Sequence, residues 1–293
     1  MKTKTGVFDV LNVSLMIGMV FIMIYPIWYC FIGAVSEGQD YMRGGVYLWP
    51  RKFTLNNLQS LFFEPVILAA FRVTIFKCII GTGTALLFTT IVAYGMTRPN
   101  LKFKKFYIAF IMFTMFFSGG MIPYFILIRN IRLYNTFWVY IIPTLFSVWN
   151  MIIIQSFIRE LPAALLEAAK MDGYGEYSIL FRIVIPLSTP VLAAITLFTV
   201  VGHWNSYFDS MMYTSSPALQ TIQYYLKKVI TDPSMTTSMG SSAVMQLPEI
   251  ARRITPQTLK LAAMAVTALP VMLIYPFLQK YFVKGMMIGS VKG

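Results

Sequence analysis

Arg159-Glu-Leu-Pro-Ala-Ala-Leu-Leu-Glu-Ala-Ala-Lys-Met-Asp-Gly-Tyr-Gly-Glu-Tyr-Ser-Ile-Leu-Phe-Arg-Ile-Val-Ile-Pro186 holds four of the chain's eleven acids and separates two long apolar runs. Pro162 suits a first helical position, where its missing N–H costs nothing. Ala163 to Asp172 are mostly strong helix formers. Leu161, Leu165, Ala168 and Ala169, followed by Lys170, make a narrow apolar stripe with small residues on it. Gly173 stops the helix. A second helical piece, Glu176 to Ile183, carries Tyr177, Leu180, Phe181 and Ile183 before Pro186 opens the next apolar run. The stretch reads as helix, tight turn and helix held between two spans, a rigid knob that a cytosolic partner can grip. The pattern alone fits equally well an amphipathic helix lying among lipid headgroups.

Outward from this loop, six stretches are long and apolar enough to cross a hydrocarbon core as helices, each needing about 20 residues. They run roughly from Val10 to Val35, Val66 to Thr97, Phe106 to Leu127, Phe137 to Ile158, Leu187 to Tyr213 and Leu259 to Phe282. The first follows Lys2 and Lys4 as a signal peptide would, but its apolar stretch is too long for a signal core and no small-x-small cleavage site follows, so it reads as a retained span. Six spans put both termini on one side. The segment Arg98 to Lys105 carries four basic residues and no acid, which assigns it, and with it both termini, to the cytoplasm. Arg129 and Arg132 fall on the outside and oppose this bias. Residues 36–65, 118–136 and 214–258 then face outward, the last long, polar and rich in Ser, Thr and Met.

Composition agrees. Of 293 residues 57% are hydrophobic and only 12% charged, about half the charge of an average soluble protein. A soluble core of this size would need a charged skin, so the solvent around most side chains is lipid. The net charge of +13 invites a nucleic-acid reading. That reading fails, because the basic residues stand singly or in small groups without a stripe that tracks phosphates. Cys30 and Cys78 lie inside apolar runs, without metal-ligand spacing.

Several chemistries lack their residues. There is no Gly-x-x-x-x-Gly-Lys-Ser/Thr stretch, and Gly81-Thr-Gly-Thr-Ala lacks the lysine a phosphate loop needs, so the chain carries no ATPase site of its own. A membrane-embedded enzyme is disfavoured by a single histidine, His203, and scattered acids. An ion-coupled secondary transporter would place paired acids or broken helices near the midplane. Within the spans the ionisable residues are Arg72, Lys77, His203 and Asp209, with Asp9 at an edge. Energy must come from a partner.

Glu167-Ala168-Ala169, three residues, Gly173, nine residues, then Ile183-Val-Ile185-Pro186 resembles the EAA signature of ABC importer permeases. Ile185 stands where that family usually has leucine. The resemblance covers the whole chain, and it is similar to the carbohydrate-uptake branch that includes the second permease of the maltose importer. It is nearer still to the complex-oligosaccharide subgroup, alginate-oligosaccharide importers among them. Phe113 to Pro123, Gly202-His-Trp-Asn205, Tyr275 to Phe282 and Lys284 to Gly293 carry this likeness. Arg72 departs from the family's usual Asn and puts a charge near the outer end of span two.

The resemblance implies an all-α type I ABC importer permease fold, a single transmembrane domain over residues 1–293 in a bacterial cytoplasmic (inner) membrane. It implies a homologous second permease, two cytosolic ATPase subunits that hold ATP and Mg, and an extracytoplasmic solute-binding protein. This chain itself would bind no cofactor or metal, and nucleic acid is not a partner. The EAA segment would seat in a cleft of an ATPase and turn its closure into rocking of the spans. Glu167 would bring charge, Ala168 and Ala169 close approach, and Asp172, Gly173, Ile183 and Pro186 the turn and its return to the membrane. The tail, with Lys284, Gly285, Gly289 and Lys292, would reach the ATPase interface, against the simpler reading of a frayed end. By the same likeness, Thr214 to Glu249 would probe the binding protein, with Asp40 to Leu55 sharing that contact.

For the pathway, the polar and aromatic residues of the spans are the candidates: Arg72, Trp149, Asn150, His203, Trp204, Asn205, Tyr207 and Asp209. Aromatic faces suit sugar C–H surfaces, and amides and carboxylates suit hydroxyls. Interhelical packing explains any one of these residues at least as well. Arg72, Lys77, Arg129 and Arg132 tilt the solute toward an acidic glycan.

Overall fold

The computed structural model describes residues 6–232, 234 and 253–290, with the side chains of Phe63 and of 275–290 left aside. Lys2, Lys4, Lys292 and most of the outer segment up to Glu249 lie outside the described residues, and of Lys284, Gly285 and Gly289 only the helical backbone is described. Regular structure among the described residues is helical, with one isolated antiparallel bridge between Ser36 and Phe53.

In chain order the helices are α1 (Val7–Ala34), α2 (Gly38–Met42), α3 (Asn56–Phe63) and α4 (Pro65–Phe76). A π-helical turn, Lys77–Gly81, joins α4 to α5 (Thr82–Thr97), and α6 (Lys104–Phe116) and α7 (Met121–Asn130) follow. Two 3-10 turns, Phe137–Tyr140 and Ile142–Thr144, precede α8 (Val148–Arg159) and α9 (Ala163–Met171). A run made of α10 (Glu176–Ile179), a π turn (Leu180–Val184) and α11 (Ile185–Leu187) leads to α12 (Thr189–Asn205) and α13 (Phe208–Tyr213). After a 3-10 turn, Pro217–Leu219, come α14 (Ile222–Thr231) and α15 (Pro256–Ser290).

Three helical stretches, Val7–Ala34, Pro65–Thr97 and Pro256–Ile274, are long and apolar enough to cross a membrane unaided, and three bent pairs raise that to six if each pair counts as one span. The bends correct the picture of straight spans. The stretch expected from Phe106 to Leu127 breaks between α6 and α7 by 115°, where Ser118-Gly119-Gly120 offers no helix former and Gly120 takes φ +88°. The stretch from Phe137 starts as 3-10 turns, because Pro143 cannot donate an i−4 bond, and bends 46° into α8. Pro186 does not open the fifth span. It continues the run from Glu176, and the chain turns by 80° before α12, where Thr189-Pro190 starts a new helix. Nor is the segment from Thr214 a plain loop, since α14 buries Ile222, Tyr225 and Val229.

The chain divides into two units, one of residues 1–68 and 225–270, the other of 69–224 and 271–293. In the first, α1 is 28 residues long, about 42 Å at 1.5 Å per residue, enough for a core of about 30 Å. Its most apolar window is wholly unburied, so lipid or another chain must cover it. Its C-terminal end packs, with Ile32 against Tyr41, Val46 and Leu261, and Ala34 against Ala262 and Ala265. Buried Asn57 locks this end, donating to the carbonyls of Ala34 (3.0 Å) and Ser36 (2.7 Å) and accepting from Thr258 Oγ1 (2.9 Å). Arg51 ties the following loop, reaching Asp40 Oδ2 at 3.2 Å and the Gly44 carbonyl at 2.6 Å. Trp28 Nε1 donates to the Leu48 carbonyl at 3.1 Å, and Tyr47, Leu48 and Trp49 stay exposed. After α14, Ser234 Oγ and N donate to Asp232 Oδ1 at 2.6 and 2.9 Å, and those bonds hold the carboxyl below its usual range.

The second unit carries the larger core. Ala93, Tyr94 and Met96 of α5 meet Met151, Ile154 and Ile158 of α8, Leu192 and Ile195 of α12, and Ala169, Ile179, Leu180 and Val184 of the loop between them. The loop's buried residues are therefore part of the span core. A second cluster joins Ile128, Leu133, Val139, Tyr140, Ile141 and Tyr213.

Candidate functional site

Two places in the second unit concentrate polar groups. The first is the loop after α8. Leu165 N bonds the Pro162 carbonyl at 3.1 Å, and Pro162 sits one place before the first helical residue, Ala163, where it caps α9. Gly173 ends the helix at φ +81°, while Gly173 N and Tyr174 N bond the carbonyls of Lys170 and Ala169 at 3.0 Å each. A left-handed residue closes the last turn in this way, and glycine does so without the Cβ penalty. Space around Gly173 is open, so only backbone conformation demands glycine there. Of the residues expected to couple, Ala169 is buried and Ile183 half-buried, whereas Glu167, Ala168, Asp172, Gly173 and Pro186 are exposed. Ala169 thus faces the chain's own core, and Ala168 faces away from it.

Beside them stand Met171, Tyr177 and Glu176, to which the sequence assigned no part in coupling. Met171 is 88% and Tyr177 77% exposed, large apolar groups at the tip of the knob. Glu176 is a junction. Its Oε2 accepts from Tyr94 Oη at 2.5 Å, its Oε1 pairs with Lys170 Nζ at 2.8 Å, and Arg98 lies 3.8 Å away. Arg98 also stacks over the Tyr94 ring at 4.2 Å. One carboxylate therefore ties α9 and α10 to the C-terminal end of α5. The signal available in the sequence was the count of acids in this loop, since Tyr94 and Arg98 are about eighty residues away.

The second place is a cleft of about 270 Å³ lined by Ala85, Thr144, Ser147, Asn150, Phe198, Thr199, Gly202, His203, Ser206 and Asp209. Ser147 caps α8, accepting from Asn150 N at 3.3 Å, which fixes Asn150 on the cleft wall. His203 is buried, its Nε2 has no hydrogen-bond partner, and a methyl group on Gly81 would come within 2.8 Å of that atom. Lack of a side chain at Gly81 lets the imidazole lie against the π-helical turn. Ser206 Oγ donates to Asp209 Oδ2 at 2.6 Å.

Behind the wall Lys77, fully buried, opens that π turn. Its Nζ lies 3.5 Å from Asp209 Oδ2 and 4.9 Å from the centre of the Tyr140 ring, and it makes no hydrogen bond. Tyr140 Oη in turn donates to the Leu219 carbonyl at 2.6 Å. An isolated ammonium in such a place would be very costly, and the carboxylate and ring face offset this. Lys77 and Asp209 lie on different elements, so their pairing was not legible from spacing.

The expected pathway residues do not form one group. Asn150, His203 and Asp209 meet in the cleft. Arg72 is exposed on α4 and Trp149 is 62% exposed on α8, neither on the cleft wall. Trp204 is buried with its ring 6.3 Å from Phe71, which is packing. Asn205 Oδ1 accepts from Gln223 Nε2 at 3.4 Å, and Tyr207 lies outside the lining. A helix presents successive residues about 100° apart, so Gly202-His-Trp-Asn205 cannot point as one unit.

No group of three or more metal-binding side chains occurs among the described residues. Residues 9–288 match the protein family described as binding-protein-dependent transport system inner membrane component. The chain is 36% identical to Protein LplC of Bacillus subtilis (strain 168), covering all of this chain and 97% of that one. It is 33% identical to the polygalacturonan/rhamnogalacturonan transport system permease protein YtcP of the same organism, over 99% of this chain and 100% of the relative. Among solved structures, a bacterial ABC transporter involved in the import of the acidic polysaccharide alginate contains a chain that superposes with a TM-score of 0.87 at 29% identity, over 94% of this chain and 96% of that one.

Proposed function

The chain belongs to the family of binding-protein-dependent transport system inner membrane components, and from that premise we propose that it is the permease subunit of an ABC importer for an oligosaccharide, an acidic one. The observation that carries this reading is the knob itself. Helix α9 ends on a left-handed Gly173, its exposed face bears Glu167 and Ala168, and its buried face is continuous with the core of α5, α8 and α12. A push on that knob moves spans rather than a loose loop.

On this reading the chain has no ATPase site and works with a homologous permease, two ATPase subunits that bind ATP and Mg, and an external binding protein. Glu167, Ala168 and Asp172 meet the ATPase, helped by Met171 and Tyr177. ATP-driven closure of the ATPase pair shifts the spans between two arrangements, and hydrolysis resets them. Both termini are cytoplasmic, and α15 carries Lys284, Gly285 and Gly289 toward the ATPases. The segment with exposed Tyr47, Leu48 and Trp49 faces the binding protein. Acidic glycans are supported by the relatives whose names specify polygalacturonan/rhamnogalacturonan and alginate.

Co-purification tests the assignment. The tagged chain should bring down an ATPase and a second multi-span protein, and uronate-containing oligosaccharides should stabilise the associated binding protein in a thermal-shift panel. Isolation as a homo-oligomer that takes up solute on an ion gradient would refute it.

A further inference from the structure

We propose that the cleft of the second unit is a sugar subsite that reads hydroxyls and carries no net charge, so that this subunit contacts the solute and does so without sensing its carboxylates. The proposal rests on the transport reading above and deepens it. Asp209 lines the cleft, 30% exposed, and a carboxylate accepts well from sugar hydroxyls. Asn150, also in the lining, offers both a donor and an acceptor. Ser147 and Thr199 line the same cleft, while His203 Nε2 is buried against the Gly81 backbone, out of a ligand's reach. Asn150, Asp209 and four hydroxyl-bearing residues, set beside Ala85, Phe198 and Gly202, match the ordinary anatomy of a small-molecule site.

The charge follows from Lys77. It sits behind the wall, fully buried and 3.5 Å from Asp209 Oδ2, and it is not itself part of the lining. The pair sums to zero, so a uronate carboxylate entering the cleft meets no net charge to attract or repel it. A hydroxyl meets an acceptor. Selection for acidic solutes must then be made elsewhere in the transport assembly, and this cleft serves acidic and neutral sugars alike.

The test places a cysteine at Phe198, which lines the cleft and is 60% exposed, in the assembled transporter in lipid nanodiscs. Its rate of modification by a methanethiosulfonate reagent is read at residue 198 by peptide mass, with galacturonate trisaccharide or galactotriose added. The subsite predicts that both sugars slow labelling to a similar extent. The protection should weaken about tenfold in affinity when Lys77→Met and Asp209→Asn are combined, the loss expected for one charge-assisted hydrogen bond. Protection by neither sugar, by the uronate alone, or undiminished in the double variant would overturn it. Stimulation of ATP hydrolysis by the loaded binding protein is measured in the same preparation. A complex that is stimulated yet unprotected rejects the subsite alone, whereas one without an ATPase rejects the transport reading.

Discussion

Lys77 and Asp209 are unequal partners. Lys77 is fully buried while the Asp209 side chain is 30% exposed, so removing either leaves a different problem. With Asp209→Ala an ammonium stays buried with only the Tyr140 face beside it, and the loss should approach the about 3–5 kcal/mol seen when a buried pair is broken. With Lys77→Met the orphaned carboxylate keeps Ser206 and access to the cleft, so the loss should be clearly smaller. Thermal unfolding of the purified transporter ranks the two, and an equal or reversed order would contradict this arrangement. The sequence marked both residues as charges inside spans but could not pair them, because ion pairing across separate elements leaves no periodicity. Gly173 was legible for the opposite reason: a helix stop is a local event, and the backbone at φ +81° is what the residue type alone foretells.

Helices were legible where apolar residues run unbroken, and their breaks were not. Residues 66–97 read as one span and lie in one continuous helical stretch, Pro65–Thr97, although Lys77–Gly81 winds as a π turn, a local widening of the helix that hydropathy cannot see and that often marks a working site. The 115° break between α6 and α7 falls on Ser118-Gly119-Gly120, whose low helix propensity was submerged in the apolar run around it. The knob after α8 was foreseen as two helices and a turn, but its anchorage was not. Glu176 bonds Tyr94 at 2.5 Å and Lys170 at 2.8 Å, joining three elements through one half-exposed carboxylate. Exposed pairs contribute little singly, whereas residues that share one network couple measurably. Tyr94→Phe and Glu176→Gln in a double-mutant cycle should show about 1 kcal/mol of coupling in unfolding free energy, together with reduced binding-protein-stimulated hydrolysis in Glu176→Gln. Strict additivity would mean that the junction transmits nothing.

At the scale of the molecule, composition alone pointed away from a soluble protein, and the proposed orientation rests on the basic residues. Twelve of the twenty-four Lys and Arg fall in segments assigned to the cytoplasm, among them the four from Arg98 to Lys105. A cysteine replacing Lys102 should therefore react with a membrane-impermeant reagent only from the cytosolic side, and one replacing Tyr47 only from outside. The reverse pattern would invert the molecule and put the knob out of reach of any ATPase. What composition could not supply is how the charge is used: Arg98 and Lys170 are spent on Glu176, Lys77 on Asp209, and Arg51 on Asp40.

Hydrolysis in the reconstituted transporter reports whether this chain converts ATP-driven motion of a partner into movement of its spans through the Gly173 knob. A Cβ at Gly173 meets no neighbouring atom, but Gly173→Val places a β-branched residue where φ is +81°, a backbone penalty of about 1–2 kcal/mol, so insertion and assembly should survive. Hydrolysis in this variant should no longer rise on addition of sugar-loaded binding protein and sugar uptake should be lost, with Gly173→Asn, which tolerates the left-handed region, retaining part of both. Stimulation and uptake at the wild-type level in Gly173→Val would contradict this role of the knob.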